Sequence, residues 1–164
     1  MTGKTMKQHE YSQKCFFSSI ADIKDKKITI MGLGLNGGGE ASARFFAKHG
    51  AFLTITDMKN EAQLQTTLDS LRNDPEIEQS RIKYVLGKHV IEDFSEADVV
   101  IKNPGVKFDN NMYLAAAKHI ETDISIFLRF TKAPIIAVTG SKGKSSTVSA
   151  IHYGLTQAGY TSFL

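Results

Sequence analysis

The residues best equipped for chemistry lie late in the chain, in Gly140-Ser141-Lys142-Gly143-Lys144-Ser145-Ser146. They follow a short apolar run, Ile135-Ile136-Ala137-Val138, that reads as a buried strand. They precede a segment with Val148, Ile151 and Leu155 at helical spacing. Strand, glycine loop and helix start together form a phosphate cradle. The glycines let backbone N–H groups turn toward an anion, and a helix N-terminus adds unpaired N–H groups and partial positive charge. Lys144 adds a full charge for terminal phosphates, and the Ser145 hydroxyl suits a Mg²⁺ ligand. The common form of this motif has a glycine where this chain has Val138, so the spacing here is the shorter Gly140-x-x-Gly143-Lys144-Ser145. A solvated βα turn would account for the lysines alone, but not for their place between a strand and a helix start.

A second glycine loop lies near the other end. Gly32-x-Gly34-x-x-Gly37 follows the strand pattern 27–31 and precedes a helical pattern over 40–49, with Ala41, Phe45 and Phe46 inward and Gly50 at the cap. The next strand, 52–56, ends at Asp57, roughly 20 residues beyond the glycines. This matches a dinucleotide fingerprint, in which glycines admit a pyrophosphate and an acid meets ribose hydroxyls. Any nucleotide diphosphate fits such a loop, so a nicotinamide oxidoreductase and a protein with a nucleotide-linked substrate both remain open here. The later ATP-type cradle favours the second, because an oxidoreductase does not need it.

The remaining elements must position these loops. Asn60 and Gln63 form a capping box before a helix with Leu64, Leu68 and Leu71 inward, broken at Asn73-Asp74-Pro75. Strands are expected at 82–86 and 97–102, the latter ended by Asn103-Pro104-Gly105. Around Glu92 to Ser95 a short turn is expected. A helix over 111–119, a short strand over 120–122 and a helix over 123–130 with Ile124, Phe127 and Leu128 on one side complete the pattern. The alternation predicts a three-layer, Rossmann-like α/β domain with a mostly parallel sheet. Ligands of such sheets collect at the C-terminal strand ends, so residues 32–39, Asp57 and residues 103–105 should share one rim. Three divisions follow: an N-terminal extension (1–26) with Cys15, Phe16, Phe17 and Ile20 as its apolar points, a substrate-nucleotide domain (27–131), and a strand–loop–helix beginning a second domain (132–164).

Composition narrows the class. With 164 residues, 41% of them hydrophobic, the chain can bury one good core. A net charge of +3, spread along the chain, argues against a nucleic-acid surface. One cysteine makes no internal disulfide, and no apolar run approaches a membrane span or a signal-peptide core. A soluble, cytoplasmic protein is expected. His49, His89, His119 and His152 read as structural or surface residues, and Lys59 as a minor neighbour of Asp57.

Four stretches taken together resemble the bacterial Mur ligases, which build the peptidoglycan stem peptide. They are Ile30-Met31-Gly32-Leu33-Gly34-Leu35-Asn36-Gly37, Thr56-Asp57, Lys102-Asn103-Pro104-Gly105-Val106, and Ala137-Val138-Thr139-Gly140-Ser141-Lys142-Gly143-Lys144-Ser145. Within that family the members that add D-glutamate are most similar. The resemblance covers about residues 27–160 and implies roles position by position. Leu35 and Asn36 would lie against the uridine, and Asp57 with Met58 would hold the uracil or ribose edge. The Gly32–Gly37 backbone, Gly34 and Gly37 included, with Asn103 and Gly105, would meet the diphosphate. Gly140, Ser141, Lys142, Gly143, Lys144, Ser145 and Ser146 would hold ATP, with Lys144 as the catalytic cation and Ser145 on Mg²⁺. The implied substrates are UDP-N-acetylmuramoyl-L-alanine and D-glutamate, joined through an acyl phosphate. Asn36 stands where the family often has threonine, and Ser141-Lys142 where it often has Thr-Asn. Family members continue into central and C-terminal domains that hold the amine site, so this chain alone is expected to bind the nucleotide substrate without ligation. A nucleotide-sensing module without turnover is a third reading.

Overall fold

A computed structural model describes residues 16–34 and 38–164. Five strands form one sheet: β1 (Lys27–Met31), β2 (Phe52–Asp57), β3 (Ile82–Leu86), β4 (Val99–Lys102) and β5 (Ile120–Glu121). Their order is β3-β2-β1-β4-β5, and every pairing is parallel. The expected Rossmann-like α/β class is therefore observed. Helices α1 (Gly38–Lys48), α2 (Glu61–Arg72), α3 (Glu92–Ser95), α4 (Met112–Ala116) and α5 (Asp123–Phe130) connect or follow the strands. A further helix, α6 (Lys144–Gln157), lies in the C-terminal part.

Alternation along each strand builds two cores. Ile28 and Ile30 of β1, Leu53 and Ile55 of β2, and Val99 and Ile101 of β4 join Ala43 and Phe46 of α1, the three leucines of α2 and Ile126 of α5. Met31 and Val100 point the other way, toward Phe94 of α3 and Leu114 of α4. The expected capping box opens α2, with the Asn60 side chain accepting from the Gln63 N–H.

The segment before β1 belongs to the core. Phe17 and Ile23 are fully buried. Glu121 Oε1 accepts the Phe16 N–H at 3.0 Å, and Arg129 Nε donates to the Phe17 carbonyl at 3.2 Å. A short 3₁₀ turn, Ile20–Ile23, leads into β1, with Ile20 left exposed. Cys15 lies outside the described residues.

Several local expectations differ from the structure. Ala43, not Ala41, is the buried alanine of α1. Helix α4 stops at Ala116 because the next residues must extend into β5, where the His119 carbonyl accepts the Val100 N–H at 2.9 Å. The expected helix α5 is present, but the apolar side formed by Ile124, Phe127 and Leu128 is at least half exposed and the buried residue is Ile126. The expected strand over 135–138 is absent. Its residues make no ladder, and Ile135 and Ile136 are exposed. A strand needs a neighbour for its N–H and C=O groups, and the compact unit that holds these residues contains no other strand.

Contacts divide the chain into two compact units, Met1–Thr131 and Lys132–Leu164. The first carries the sheet. The second carries the glycine loop and α6, whose Val148, Ile151 and Leu155 form its less exposed side.

Candidate functional site

In the first unit, three strand ends converge as expected. The β1–β2 ladder continues past β1, with Gly32 N–H donating to the Thr56 carbonyl at 2.8 Å. This brings the glycine loop beside Asp57, which is 8% exposed. Asp57 Oδ2 accepts from the N–H groups of Leu33 (2.9 Å) and Gly34 (3.3 Å), and Oδ1 accepts from Lys59 N–H (2.9 Å). On the other side, Asn103 follows β4 directly. Its Nδ2 donates to the Gly32 carbonyl at 3.4 Å, and its Oδ1 accepts the Gly105 N–H at 3.0 Å. Gly34 and Asn103 are in close contact: a methyl added at Gly34 would lie 3.3 Å from Asn103 Nδ2.

The loop lies where the chain turns from the β1–β2–β3 half of the sheet to the β4–β5 half, the switch point that opens a crevice in parallel sheets. Gly32, Gly38, Gly39, Ser42, Asn103 and Asp123 line a small crevice there. The N-terminus of α1 opens onto it, offering N–H groups and partial positive charge. Gly39 is what allows α1 to start so close to the loop. A Cβ at that position would come within 2.3 Å of the Gly32 carbonyl oxygen and 2.4 Å of the Leu33 carbonyl oxygen.

Asp57, Asn103, Gly34 and Gly105 therefore meet on one rim. Met58 beside Asp57 is exposed and turned to solvent. Leu35, Asn36 and Gly37 lie outside the described residues. Asp57 has a structural task that sequence alone did not reveal, since three loop N–H groups already use its oxygens. A carboxylate has about four acceptor sites, so it keeps capacity for one more donor.

Two rim residues were not singled out as functional from sequence. Asp123 opens α5, its Oδ1 accepting the Ile124 N–H at 2.8 Å, and Oδ2 faces α1 at 3.7 Å from where a Gly38 methyl would sit. The available signal was its position: like Gly32 and Asn103, it comes at the end of a strand. His89 lies in the loop after β3 and is packed there. Its Nδ1 is 2.7 Å from Thr56 Oγ1, and its ring meets Phe94 and Tyr113 edge-on. Burial lowers its pKa below the ordinary 6.5, against the opposing pull of the Asp57 charge.

In the second unit, Gly143 is the N-cap of α6 with φ 80°, a left-handed conformation that favours glycine. The Gly143 carbonyl accepts from Thr147 N–H (3.0 Å) and Thr147 Oγ1 (2.9 Å), which secures the first turn. Lys144 Nζ reaches back over the loop to the Gly140 carbonyl at 2.5 Å. Ser141, Lys142, Ser145 and Ser146 are exposed. The loop thus presents α6's unpaired N–H groups, two ammonium groups and two first-turn hydroxyls together. Among the described residues no group of three or more His, Cys, Asp or Glu side chains could hold a metal ion. A Mg²⁺ fits here only in the sparse way it commonly binds, on one hydroxyl plus phosphate oxygens and water.

A family model described as "Mur ligase MurD-like, N-terminal domain" matches residues 26–125. The chain belongs to the Mur ligase family. The match takes in the whole sheet from β1 to β5. Among relatives, the UDP-N-acetylmuramoylalanine--D-glutamate ligase of Borreliella afzelii is 56% identical over 136 residues, which is 83% of this chain and 29% of that protein. The protein of the same name from Treponema pallidum is 51% identical over 146 residues, 87% of this chain and 26% of that one. This Mur ligase chain therefore spans less than a third of the length of either relative. A solved structure, a pseudomurein peptide ligase type C from Methanothermus fervidus, aligns with TM-score 0.46 and 24% identity over 82% of this chain and 27% of that one. No helix among the described residues is long and apolar enough to cross a membrane.

Proposed function

We propose that this chain is the nucleotide-substrate domain, residues 27–131, and the opening of the ATPase domain, residues 132–164, of a ligase that adds D-glutamate to UDP-N-acetylmuramoyl-L-alanine. The observation that carries the reading is the rim: Asp57 and Asn103 flank the Gly32–Gly34 backbone in front of the α1 N-terminus. An anionic linker suits the helix N-terminus and the turn N–H groups. Hydroxyls or imide groups of the attached nucleoside suit the remaining acceptor capacity of Asp57 and the exposed Met58 beside it. The names of the Borreliella and Treponema relatives support this choice of substrate.

In this reading the second unit binds ATP. Gly140, Ser141, Gly143 and Ser146 surround the phosphates, Lys142 and Lys144 offset their charge, and Ser145 offers a hydroxyl to Mg²⁺. When bound, the metal would neutralise phosphate charge. The reaction moves the γ-phosphoryl group to the substrate carboxylate, because a carboxylate becomes a useful electrophile only when its oxygen can leave. The D-glutamate amine then attacks the acyl phosphate, giving the amide and releasing phosphate. Two anions must approach for the first step, and Lys144 is the chain's own group for lowering that repulsion. By themselves these 164 residues are expected to bind and not to turn over.

Calorimetric titration of the chain tests the reading. UDP or UDP-N-acetylmuramoyl-L-alanine should bind and NAD(H) should not; the reverse result would restore the oxidoreductase reading. A phosphate-release assay with ATP, D-glutamate and the uridine substrate should show no turnover by this chain.

A further inference from the structure

Lys102, the last residue of β4, occupies a place that its neighbours reserve for apolar side chains. Val99, Val100 and Ile101 before it are fully or almost fully buried, and Lys102 itself is only 5% exposed. It pairs in register with Met31, which is buried in the α3–α4 core. Alternation puts Lys102 on that same apolar side as Val100.

Its ammonium has only neutral partners at hydrogen-bond range. Nζ donates to the Val106 carbonyl at 2.7 Å and the Asn103 carbonyl at 3.1 Å, and lies 4.9 Å from the centre of the Phe108 ring. Among the described residues no carboxylate comes within salt-bridge distance of it. Burial accordingly lowers its pKa below 10.5, with Asp123 pulling the other way from a distance. A buried charge without a counter-charge is expensive, and an apolar residue of the same length would fill the space at less cost. A cation in such a position therefore needs a reason.

The two carbonyls it holds supply one. They belong to the Asn103–Val106 turn, closed by Val106 N–H on the Asn103 carbonyl at 3.0 Å. The outer side of that turn is the rim, where the Asn103 amide reaches Gly32 and the Asn103 side chain receives the Gly105 N–H. We propose that Lys102 is a positioning residue of the diphosphate site, holding the 103–106 turn from behind and supplying positive potential to an anion seated in front of it. The α1 N-terminus contributes roughly half a charge to the rim, and a diphosphate carries at least two negative ones. In this arrangement the missing counter-charge of Lys102 is the ligand. The inference rests on reading the rim as a nucleotide-diphosphate site.

The test uses Lys102→Met, which keeps length and removes charge, and Lys102→Arg, which keeps charge. Affinities for UDP and for uridine, measured by ligand-observed NMR, separate charge from shape. In Lys102→Met, UDP affinity should fall about tenfold, as loss of one nearby charge predicts, while uridine affinity stays within about twofold. Lys102→Arg should recover most of the UDP affinity. Thermal melts accompany the titrations, since Lys102→Met removes two hydrogen bonds to the turn as well as the charge; should it fail to fold, Lys102→Gln against Lys102→Arg gives the same comparison. Unchanged UDP affinity in Lys102→Met, or an equal loss for UDP and uridine, overturns the inference and leaves the substrate reading standing. Failure of the unmutated chain to bind either ligand overturns both.

Discussion

Asp57 Oδ2 receives the N–H of Leu33 at 2.9 Å, so the carboxylate that ends β2 fixes the backbone that leaves β1. Gly34 and Lys59 N–H groups share the same carboxylate. In Asp57→Asn one acceptor oxygen becomes an amide donor facing N–H groups. The loss of a satisfied N–H should cost about 1–3 kcal/mol, read as a lower urea midpoint. UDP affinity should fall further than stability alone explains, because the loop loses its shape in the fraction that stays folded.

Gly39 is a second point where the rim is fixed by contact. A methyl group there would overlap the carbonyls of Gly32 and Leu33, both backbone atoms that cannot swing aside. Gly39→Ala should destabilise the chain by about 1–3 kcal/mol, despite alanine's better helix propensity. Gly154→Ala, in a helix with open space around it, should instead be neutral or slightly stabilising. Thermal melts of the two variants side by side check the contrast.

His89 links stability to pH. Its native pKa is lowered below 6.5 by burial, so the folded state holds the ring neutral while the unfolded chain binds a proton more readily. Its contribution is present in full above the ordinary pKa and is lost as pH falls through it toward the lowered native value. The melting temperature should decline between about pH 7 and pH 5, and His89→Gln should flatten part of that decline. NMR titration of the imidazole should give a midpoint below 6.5.

Lys144 and Ser145 are exposed, the first turn of α6 is secured through Gly143 and Thr147, and the one loop contact Lys144 adds, to the Gly140 carbonyl, is itself exposed to water. Lys144→Ala should therefore leave the melting temperature unchanged while abolishing measurable binding of a fluorescent ATP analogue. Ser145→Ala should remove only the part of the affinity that depends on added Mg²⁺. A loss of fold in either variant would contradict the structural picture of the loop.

The sheet was legible in the sequence because each strand is a short apolar run with its punctuation in place. Gly32 after β1, Asp57 at the end of β2 and Asn103 after β4 mark strand ends, and parallel pairing puts strand ends together. The capping box at Asn60 and Gln63 was equally local. What escaped depended on neighbours. The run 135–138 has strand composition but lacks a partner strand in its own unit. Periodicity on α5 found an apolar face, yet Ile126 and not Ile124, Phe127 or Leu128 is what the core covers. Lys102 and Asp123 look unremarkable in a list of charges; only the fold shows one buried without a counter-ion and the other beside a helix start.

The family match opens at residue 26, yet Phe17 and Ile23 are completely enclosed and Glu121 grips the Phe16 backbone from the far strand. The family match and the packed core thus have different borders in this protein. An expression clone cut to the matched span would leave a hollow beside Phe46 and strip Glu121 of a donor, so the smallest sturdy piece is longer than the recurring one.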